Sequence, residues 1–368
     1  MATAAPRVNS SLTSWEQRGR LLFGGLVGLA ILWSFWGTIG KPDCQDMDFG
    51  AYYRAAVAVG RGESPYTLDE EDQRCPPRAK RLEGYPSFGA FPYMPAYAYL
   101  LSLLRHLDYL WACRLWMLLN WLAVAAAFWL SLSLALGGRA TSSQVWGILL
   151  LAGVPIAGYL WACVRLGQIA LWMTVGCLGW AWCQQRGRPF IGGLMLAAAS
   201  ALKLAPLALV PYLILQRDRR GLAGVAVGAV VIGLLPVAWV GWEGTLRLHQ
   251  EWVHHTIATD VPLQTYRPGN QSLLGLLARL PLVSDGHELL APENLAALKR
   301  VHPGLLAALA GALYGWILWS RRTHPLDALP QQARDRDRGH LALLFVFLTL
   351  AHPHAWRCNY VGLLFPCV

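Results

Sequence analysis

The stretch DCQDMDFGAYYRAA, residues 43–56, places three acids directly after the first long apolar run of the chain. Asp48 is the last of the three and opens an aromatic and alanine-rich pattern typical of an amphipathic helix on a membrane surface. A carboxylate at such a helix start accepts hydrogen bonds from free backbone N–H groups, so Asp48 is a candidate N-cap. It is also a candidate general base, because partial desolvation beside an apolar cavity would raise its pKa. Composition alone favours the cap, and both roles stay open.

A single lysine interrupts the apolar segment FIGGLMLAAASALKLAPLALVPYLILQ, residues 190–216. An ammonium in such surroundings usually faces a cavity or an anionic partner, so Lys203 is a candidate ligand for a phosphate at the membrane surface. The alternative is that Lys203 extends to the lipid headgroups from a position near a helix end. Arg165 and Gln168 belong to the short turn RLGQ, which we expect in the same layer. They either share the Lys203 site or simply end their helices.

The stretch RPGNQSLLGLL, residues 267–277, predicts a turn followed by a short apolar helix. Asn270 and Gln271 begin that helix, and their amides offer the donors and acceptor that suit sugar hydroxyls. Capping of the helix by Asn270 is at least as good an explanation.

Histidines and cysteines give no strong signal for a metal site. His249, His254 and His255 occur in HQEWVHH, and their spacing matches no closed site, so metal binding is not predicted. Cys44 and Cys75 share the first predicted outer loop, the compartment in which a disulfide would persist.

The composition is that of an integral membrane protein. Of 368 residues, 55% are hydrophobic and 14% charged, whereas soluble proteins carry about 25% charged residues. The net charge of +10 does not indicate nucleic-acid binding, because the arginines cluster between apolar runs, as topology and anionic membrane lipids require. No Rossmann, Walker, CxxC or HExxH motif is present.

Apolar segments of membrane-crossing length recur along the whole chain and predict one polytopic all-α domain over residues 1–368. The first is expected to be a retained helix rather than a cleaved signal peptide. The clear spanning candidates are 21–40, 110–136, 144–164, 168–184, 222–242 and 304–320.

Two further apolar segments do not fit a single span. Segment 190–216 has Lys203 and Pro206 at its centre, which predicts two short helices that meet near one membrane face. Segment 93–104, YMPAYAYLLSLL, is too short to cross, so we predict an interfacial or re-entrant helix.

With these interpretations the basic clusters fall on one side of the membrane, as the positive-inside rule demands. The N-terminal residues 1–20 are then cytoplasmic, and residues 41–92 form an extracytoplasmic first loop that carries interfacial helices. The final segment RCNYVGLLFPCV stops after about a dozen apolar residues, fewer than the ~20 needed to span, so we expect a C-terminal truncation. The cytoplasmic clusters contain Arg7, Arg18, Arg20, Arg139, Arg186, Arg188, Arg217, Arg219, Arg220, Arg321, Arg322, Arg334, Arg336 and Arg338.

The order of the motifs resembles glycosyltransferase family 87, the DUF2029 group of the polyprenyl-phosphate-sugar-dependent GT-C superfamily. The resemblance covers nearly the whole chain and implies a GT-C-type bundle of transmembrane helices. The pattern of mycobacterial members has paired histidines after the terminal Trp. In this chain Trp356 is followed instead by Arg357, Cys358 and Asn359. The motifs are DFGAYYRAAVAVGRGESPY, FPYMPAYAYLLSLL, GQIALWMTVG, GGLMLAAASALKLAPLALVPYLILQRDRRG, NQSLLGLL and HPHAW.

The resemblance implies an inverting transfer of a hexose, typically mannose, on the outer membrane face. The donor would be a polyprenyl-phosphate sugar and the acceptor a lipid- or glycan-linked molecule, with no cofactor or metal. Asp48 matches the family's general base, and Lys203 matches the lysine near the donor phosphate. The residues assigned to substrate binding are Lys203, Gln168, Arg165, Asp46, Tyr52, Asn270, Gln271 and His354. The alternative is a lipid-linked-sugar flippase or transporter without catalysis.

Overall fold

The structure is a computed structural model that describes residues 32, 33, 35–37, 39, 48–66, 91–136, 142–254, 292–323, 330–351 and 363. These residues form helices and connecting turns, with no strand among them. The chain divides into two compact units, Met1–Pro42 and Asp43–Val368, and the described residues of the first are helical. The expectation of a single domain therefore stays a prediction, and the helices below belong to the second unit.

Helix α1, Asp48–Gly60, follows the first apolar run and packs against the short helix α2, Pro95–Leu101, and the 3-10 turn Ser102–His106. Its aromatic side chains are its main buried groups, as its sequence pattern predicts. The Tyr53 hydroxyl donates to the backbone O of Leu107 at 2.8 Å, which fastens α1 to the end of the turn. The predicted short helix within segment 93–104 is confirmed.

Helix α3, Tyr109–Leu136, is long and apolar enough to cross a membrane. Helix α4, Ser142–Leu166, and helix α5, Ala170–Gln185, follow it, and the chain bends by 120° between their apolar parts. By length and composition the described residues contain one possible span, or up to three if each of two bent helix pairs counts as one.

The predicted break in segment 190–216 is confirmed. Helix α6, Pro189–Leu202, ends where Lys203 adopts an extended backbone, and the 3-10 turn Ala205–Leu209 leads into α7, Val210–Leu215. Pro206 lies at the start of that turn, where its missing N–H is tolerated.

Helix α8, Arg219–Leu234, packs closely on α6 because glycines face each other at the crossing. A Cβ added to Gly193 would collide with the backbone O of Gly221 and would lie 2.7 Å from the backbone N of Val225. Small residues that allow such close backbone contact are typical of helix pairs within membranes. This contact fixes the helix that ends at Lys203.

The prediction of a single straight span over residues 222–242 is wrong, because the chain bends within this segment. Helix α8 ends at Leu234, and α9, Val237–Val253, continues after a bend of 93°. Pro236 stands at the bend and cannot donate a helical hydrogen bond to the preceding turn. Gly241 has φ 67° and marks a second kink within α9.

Helix α10, Pro292–Thr323, contains the predicted segment 304–320, and α11, Pro330–Ala351, packs against it. Ser320 Oγ lies 2.8 Å from His340 Nε2, and Arg321 donates to Asp337 Oδ1 at 3.1 Å. Helix α11 was not predicted from the sequence, because its first half is strongly charged.

Candidate functional site

Asp48 is the first residue of α1 and carries the first-turn negative charge of that helix. Burial raises the pKa of the Asp48 carboxyl to about 6, from an ordinary value of 3.8. The positive charge of Lys203 acts in the opposite direction and lowers the pKa. Asp48 is therefore ionised at neutral pH but binds a proton far more readily than an exposed aspartate does.

Lys203 reaches the same region from the break between α6 and the following 3-10 turn. Its backbone N–H donates to Ala199 O at 3.1 Å, which closes the last turn of α6. Its side chain is partly buried at the helix end rather than fully in solvent. The electrostatic effect of Lys203 on Asp48 shows that the structure brings these two predicted site residues together.

The turn between α4 and α5 also lies against the start of α1. Gly167 has φ 67°, and a Cβ on it would lie 2.9 Å from Phe49 Cβ. Gln168 follows directly, and its backbone N–H donates to Cys163 O at 2.9 Å, as at a glycine-terminated helix end. Gln168 is half-buried, whereas Arg165 is exposed.

Trp116 of α3 connects this turn to α1. Its indole N–H donates to Gly167 O at 2.7 Å, and its ring stacks on Phe49 with centroids 5.9 Å apart. It also meets Tyr52 edge to face at 5.7 Å. Sequence reasoning missed Trp116, because nothing local distinguishes it among 18 tryptophans.

Tyr52 lies one helical turn after Asp48 and is buried. Its hydroxyl is 3.0 Å from the Tyr93 hydroxyl, and their rings meet edge to face. Burial raises the pKa of Tyr52 well above its ordinary value, and the charges of Tyr93 and Asp48 raise it further. Tyr52 is therefore neutral and offers a hydroxyl, not an anion, beside Asp48.

Helix α9 meets the segment that follows α1. Ser64 hydrogen-bonds to Glu251, and the Trp252 indole N–H donates to Pro92 O at 3.2 Å. Arg247 forms an ion pair with Glu251 at 3.5 Å. These contacts were not predicted, because the partners are distant in sequence and each residue is ordinary in its own segment.

Several predicted site residues lie outside the described residues, and their roles stay predictions. They are Asp43, Asp46, Asn270, Gln271, His352, His354 and the cysteines Cys44 and Cys75.

In the described ranges no group of three His, Cys, Asp or Glu side chains lies close enough to hold a metal ion. The Nδ1 atom of His249 instead lies 2.9 Å from the backbone O of Thr245, one turn earlier in α9. His255, the third histidine of HQEWVHH, lies outside the described residues.

The arrangement combines a carboxylate that can accept a proton with a cation that can hold an anion. A desolvated Asp with a raised pKa is suited to proton transfer near neutral pH. A lysine at a helix break is suited to a phosphate oxygen as a point charge. Buried aromatic residues follow Asp48 in α1, and the exclusion of water by such side chains strengthens electrostatic interactions at the carboxylate.

Comparison with known proteins agrees with the resemblance seen in the motifs. A polyprenol-phosphate-mannose-dependent alpha-(1-2)-phosphatidylinositol mannoside mannosyltransferase of Mycolicibacterium smegmatis is 38% identical to this chain over 102 residues. That match spans 27% of this chain and 22% of the relative. No solved structure matches the chain.

A family model matches residues 91–330, which is more than half of the chain. The match includes Lys203 and Gln168, while Asp48 and α1 precede it. Because the family model covers more than half of the chain, and because the chain has the expected apolar helices, it belongs to glycosyltransferase family 87.

Proposed function

We propose that the protein is a hexosyltransferase that moves a hexose from a polyprenyl-phosphate sugar to a lipid- or glycan-linked acceptor. The single observation that carries the proposal is the pairing of Asp48, with its raised pKa, and the charge of Lys203. Family membership supports sugar transfer as the reaction. The mycobacterial relative, a polyprenol-phosphate-mannose-dependent mannosyltransferase, supports mannose as the sugar and a polyprenyl phosphate as its carrier.

In this mechanism Asp48 is the general base. Its carboxylate takes the proton from an acceptor hydroxyl, and the freed oxygen attacks C1 of the sugar. The bond between C1 and the phosphate oxygen breaks, and its electron pair leaves with the lipid phosphate. Attack from the face opposite the leaving group inverts the configuration at C1.

Lys203 would stabilise the departing phosphate, on which negative charge grows as the bond breaks. An interaction that strengthens with charge development lowers the barrier more than one that binds only the ground state. Gln168 would bind sugar or phosphate oxygens, and its position after the glycine that contacts Phe49 supports this role. Tyr52 would supply a neutral hydroxyl beside the base.

We further propose that the site faces the extracytoplasmic side of the cell membrane in a multi-pass protein. The support is the charge distribution: Arg186, Arg188 and Arg217 are exposed at the helix ends remote from Gln168 and Lys203. Basic residues near helix ends favour the cytoplasmic side. Cysteine substitution at exposed Arg188 and exposed Arg105, followed by labelling of intact cells with an impermeant maleimide, tests the orientation.

The test of function uses membranes that contain the protein and a polyprenyl phosphate carrying radiolabelled mannose. We expect label to appear in a lipid or glycan product, with configuration at C1 opposite to that of the donor. The matched control is Asp108→Asn, which neutralises an exposed acid before α3 and should retain transfer. No transfer from any polyprenyl-phosphate hexose would overturn the proposal.

Two bent helix pairs favour a second candidate, a flippase or transporter of lipid-linked sugars. The bends of 120° between α4 and α5 and of 93° between α8 and α9 resemble the broken helices of transporters. A transporter would move the donor lipid between leaflets of a vesicle without releasing its sugar. Its rate would not require a base, so a transporter would move the lipid equally well with Asp48→Asn, and neither form of the protein would transfer the sugar.

A further inference from the structure

Two turns at one end of the α5–α8 bundle carry exposed arginines. The turn between α5 and α6 contains Arg186 and Arg188. Arg217 lies in the turn between α7 and α8, and Arg219 and Arg220 begin α8. We refer to these five residues as the arginine face. It lies at the opposite end of α5 and α6 from Gln168 and Lys203.

A hydrogen bond joins the two turns into one surface. Gln184 Nε2 donates to Asp218 Oδ2 at 2.8 Å, which links the end of α5 to the start of α8. The other oxygen of Asp218 accepts from Gly221 N at 2.9 Å and so caps α8. Asp218, the acid in the middle of the arginine face, thus connects the two turns.

The arginines themselves have no carboxylate partner within the described ranges. The ion pairs found there involve Arg61, Arg247, Arg321 and His340, none of which belongs to the arginine face. Arg186 lies over the Trp182 ring at 5.0 Å, an interaction that leaves its N–H edges available. Within the part of the chain that the structure describes, the five guanidinium groups of the arginine face therefore form no ion pair with a carboxylate.

The backbone conformation of Arg217 is the strongest indication that the arginine face has a function. Arg217 has φ 52°, and within the described ranges it is the one residue other than glycine with a positive φ. The corresponding position of the other turn is occupied by Gly187, with φ 69°. Glycine adopts this conformation without steric cost, whereas an L side chain does not. The backbone at Arg217 is therefore less favourable than it would be for glycine, and the side chain adds a fifth positive charge to the arginine face.

The surroundings indicate which anion the arginine face meets. The helices on either side of the two turns expose large apolar side chains. Phe190 is 41% exposed, Ile191 48% and Ile214 58%. Guanidinium groups immediately next to exposed apolar side chains match the boundary between lipid headgroups and acyl chains. Phospholipid phosphates at that boundary accept paired hydrogen bonds from arginine.

We propose that the arginine face binds the headgroups of anionic phospholipids. This inference is independent of the proposed transferase reaction, because it uses neither Asp48 nor Lys203. Each arginine is expected to strengthen binding about fivefold, the usual contribution of a basic residue near an anionic membrane surface.

The test measures binding of fluorescent phosphatidylglycerol to the purified full-length protein in mixed micelles of an uncharged detergent. Arg217→Gly should weaken binding about fivefold while thermal stability stays equal or rises, because glycine relieves the strain. The triple variant Arg217→Gly, Arg219→Gln, Arg220→Gln should weaken it about 100-fold. Arg61→Gln, at an exposed arginine of a polar turn that pairs with Glu63, is the matched control and should leave binding unchanged.

Three results would overturn the proposal. One is equal binding of phosphatidylcholine and phosphatidylglycerol by the unaltered protein. Another is a loss of thermal stability in Arg217→Gly with unchanged phosphatidylglycerol affinity, which would make Arg217 a structural residue. The third is displacement of the lipid by soluble glycerol phosphate at a similar concentration, which would indicate a site for free phosphates rather than a lipid surface.

Discussion

The positive charge of Lys203 lowers the pKa of Asp48, while burial of the Asp48 carboxyl raises it to about 6. The two residues are 155 positions apart in the sequence, and the break after α6 brings the lysine to the start of α1. The positive charge of Lys203 therefore favours the ionised form of the Asp48 carboxyl.

Replacing Lys203 by Met should shift the acid limb of the pH profile of kcat/KM to higher pH. The acid limb reports protonation of the base in the free enzyme, and removal of the lysine charge leaves only the burial that raises the Asp48 pKa. Lys203→Arg retains the charge and should keep the limb near pH 6. An unshifted limb in Lys203→Met would show that Asp48 is not the titrating base.

The raised pKa of Asp48 also predicts how stability depends on pH. The folded protein holds this proton up to about pH 6, whereas the unfolded chain releases it near 3.8. The free energy of unfolding should therefore rise as the pH falls from about 6 to about 4, by about 1 to 2 kcal/mol from this group. Asp48→Asn should remove this contribution, which denaturant unfolding in detergent at pH 7 and pH 5 would measure.

Trp116→Phe should lower kcat by about tenfold or more with a small change in KM. Phenylalanine keeps a ring against Phe49 but cannot donate to Gly167 O, so the Gln168 turn loses its anchor. Small displacements of positioning groups have effects of this size on rate. Trp129→Phe, at a half-exposed position of the same helix, is the control. Equal kinetics for the two variants would contradict a positioning role for Trp116.

Gly193→Ala should destabilise the protein by at least about 1 kcal/mol, because its methyl group would force α6 away from α8. The expected consequence is loss of thermal stability together with transfer activity, since α6 holds Lys203. Gly315→Ala in α10 is the control: a Cβ there meets nothing within 4 Å, and alanine is the better helix former. Similar melting temperatures for the two variants would contradict the close crossing.

The sequence allowed the break in segment 190–216 to be predicted, because a lysine and a proline in the middle of an apolar run exclude a single span. The sequence also predicted that Asp48, Lys203 and Gln168 share one layer. In the structure the charge of Lys203 acts on Asp48, and Gly167, the residue before Gln168, lies against Phe49.

Other features depend on packing that local patterns do not encode. Trp116 and Gly167 are 51 residues apart, and their hydrogen bond follows from the way α3 and α5 pack. The bend before α9 was missed for a different reason. Pro236 and Gly241 were visible, but they lie in an apolar run whose length matched one span.

The most direct test of the central claim compares Asp48→Asn with Asp46→Asn in the transfer of radiolabelled mannose from its polyprenyl phosphate. We predict that Asp48→Asn lowers the rate by at least about 100-fold, the contribution of a general base, with normal expression and melting temperature. Asp46→Asn, at a residue that the family resemblance assigns to substrate binding, should lower the rate far less. Full transfer by Asp48→Asn, or loss of transfer only in Asp46→Asn, would contradict the assignment of Asp48 as the base.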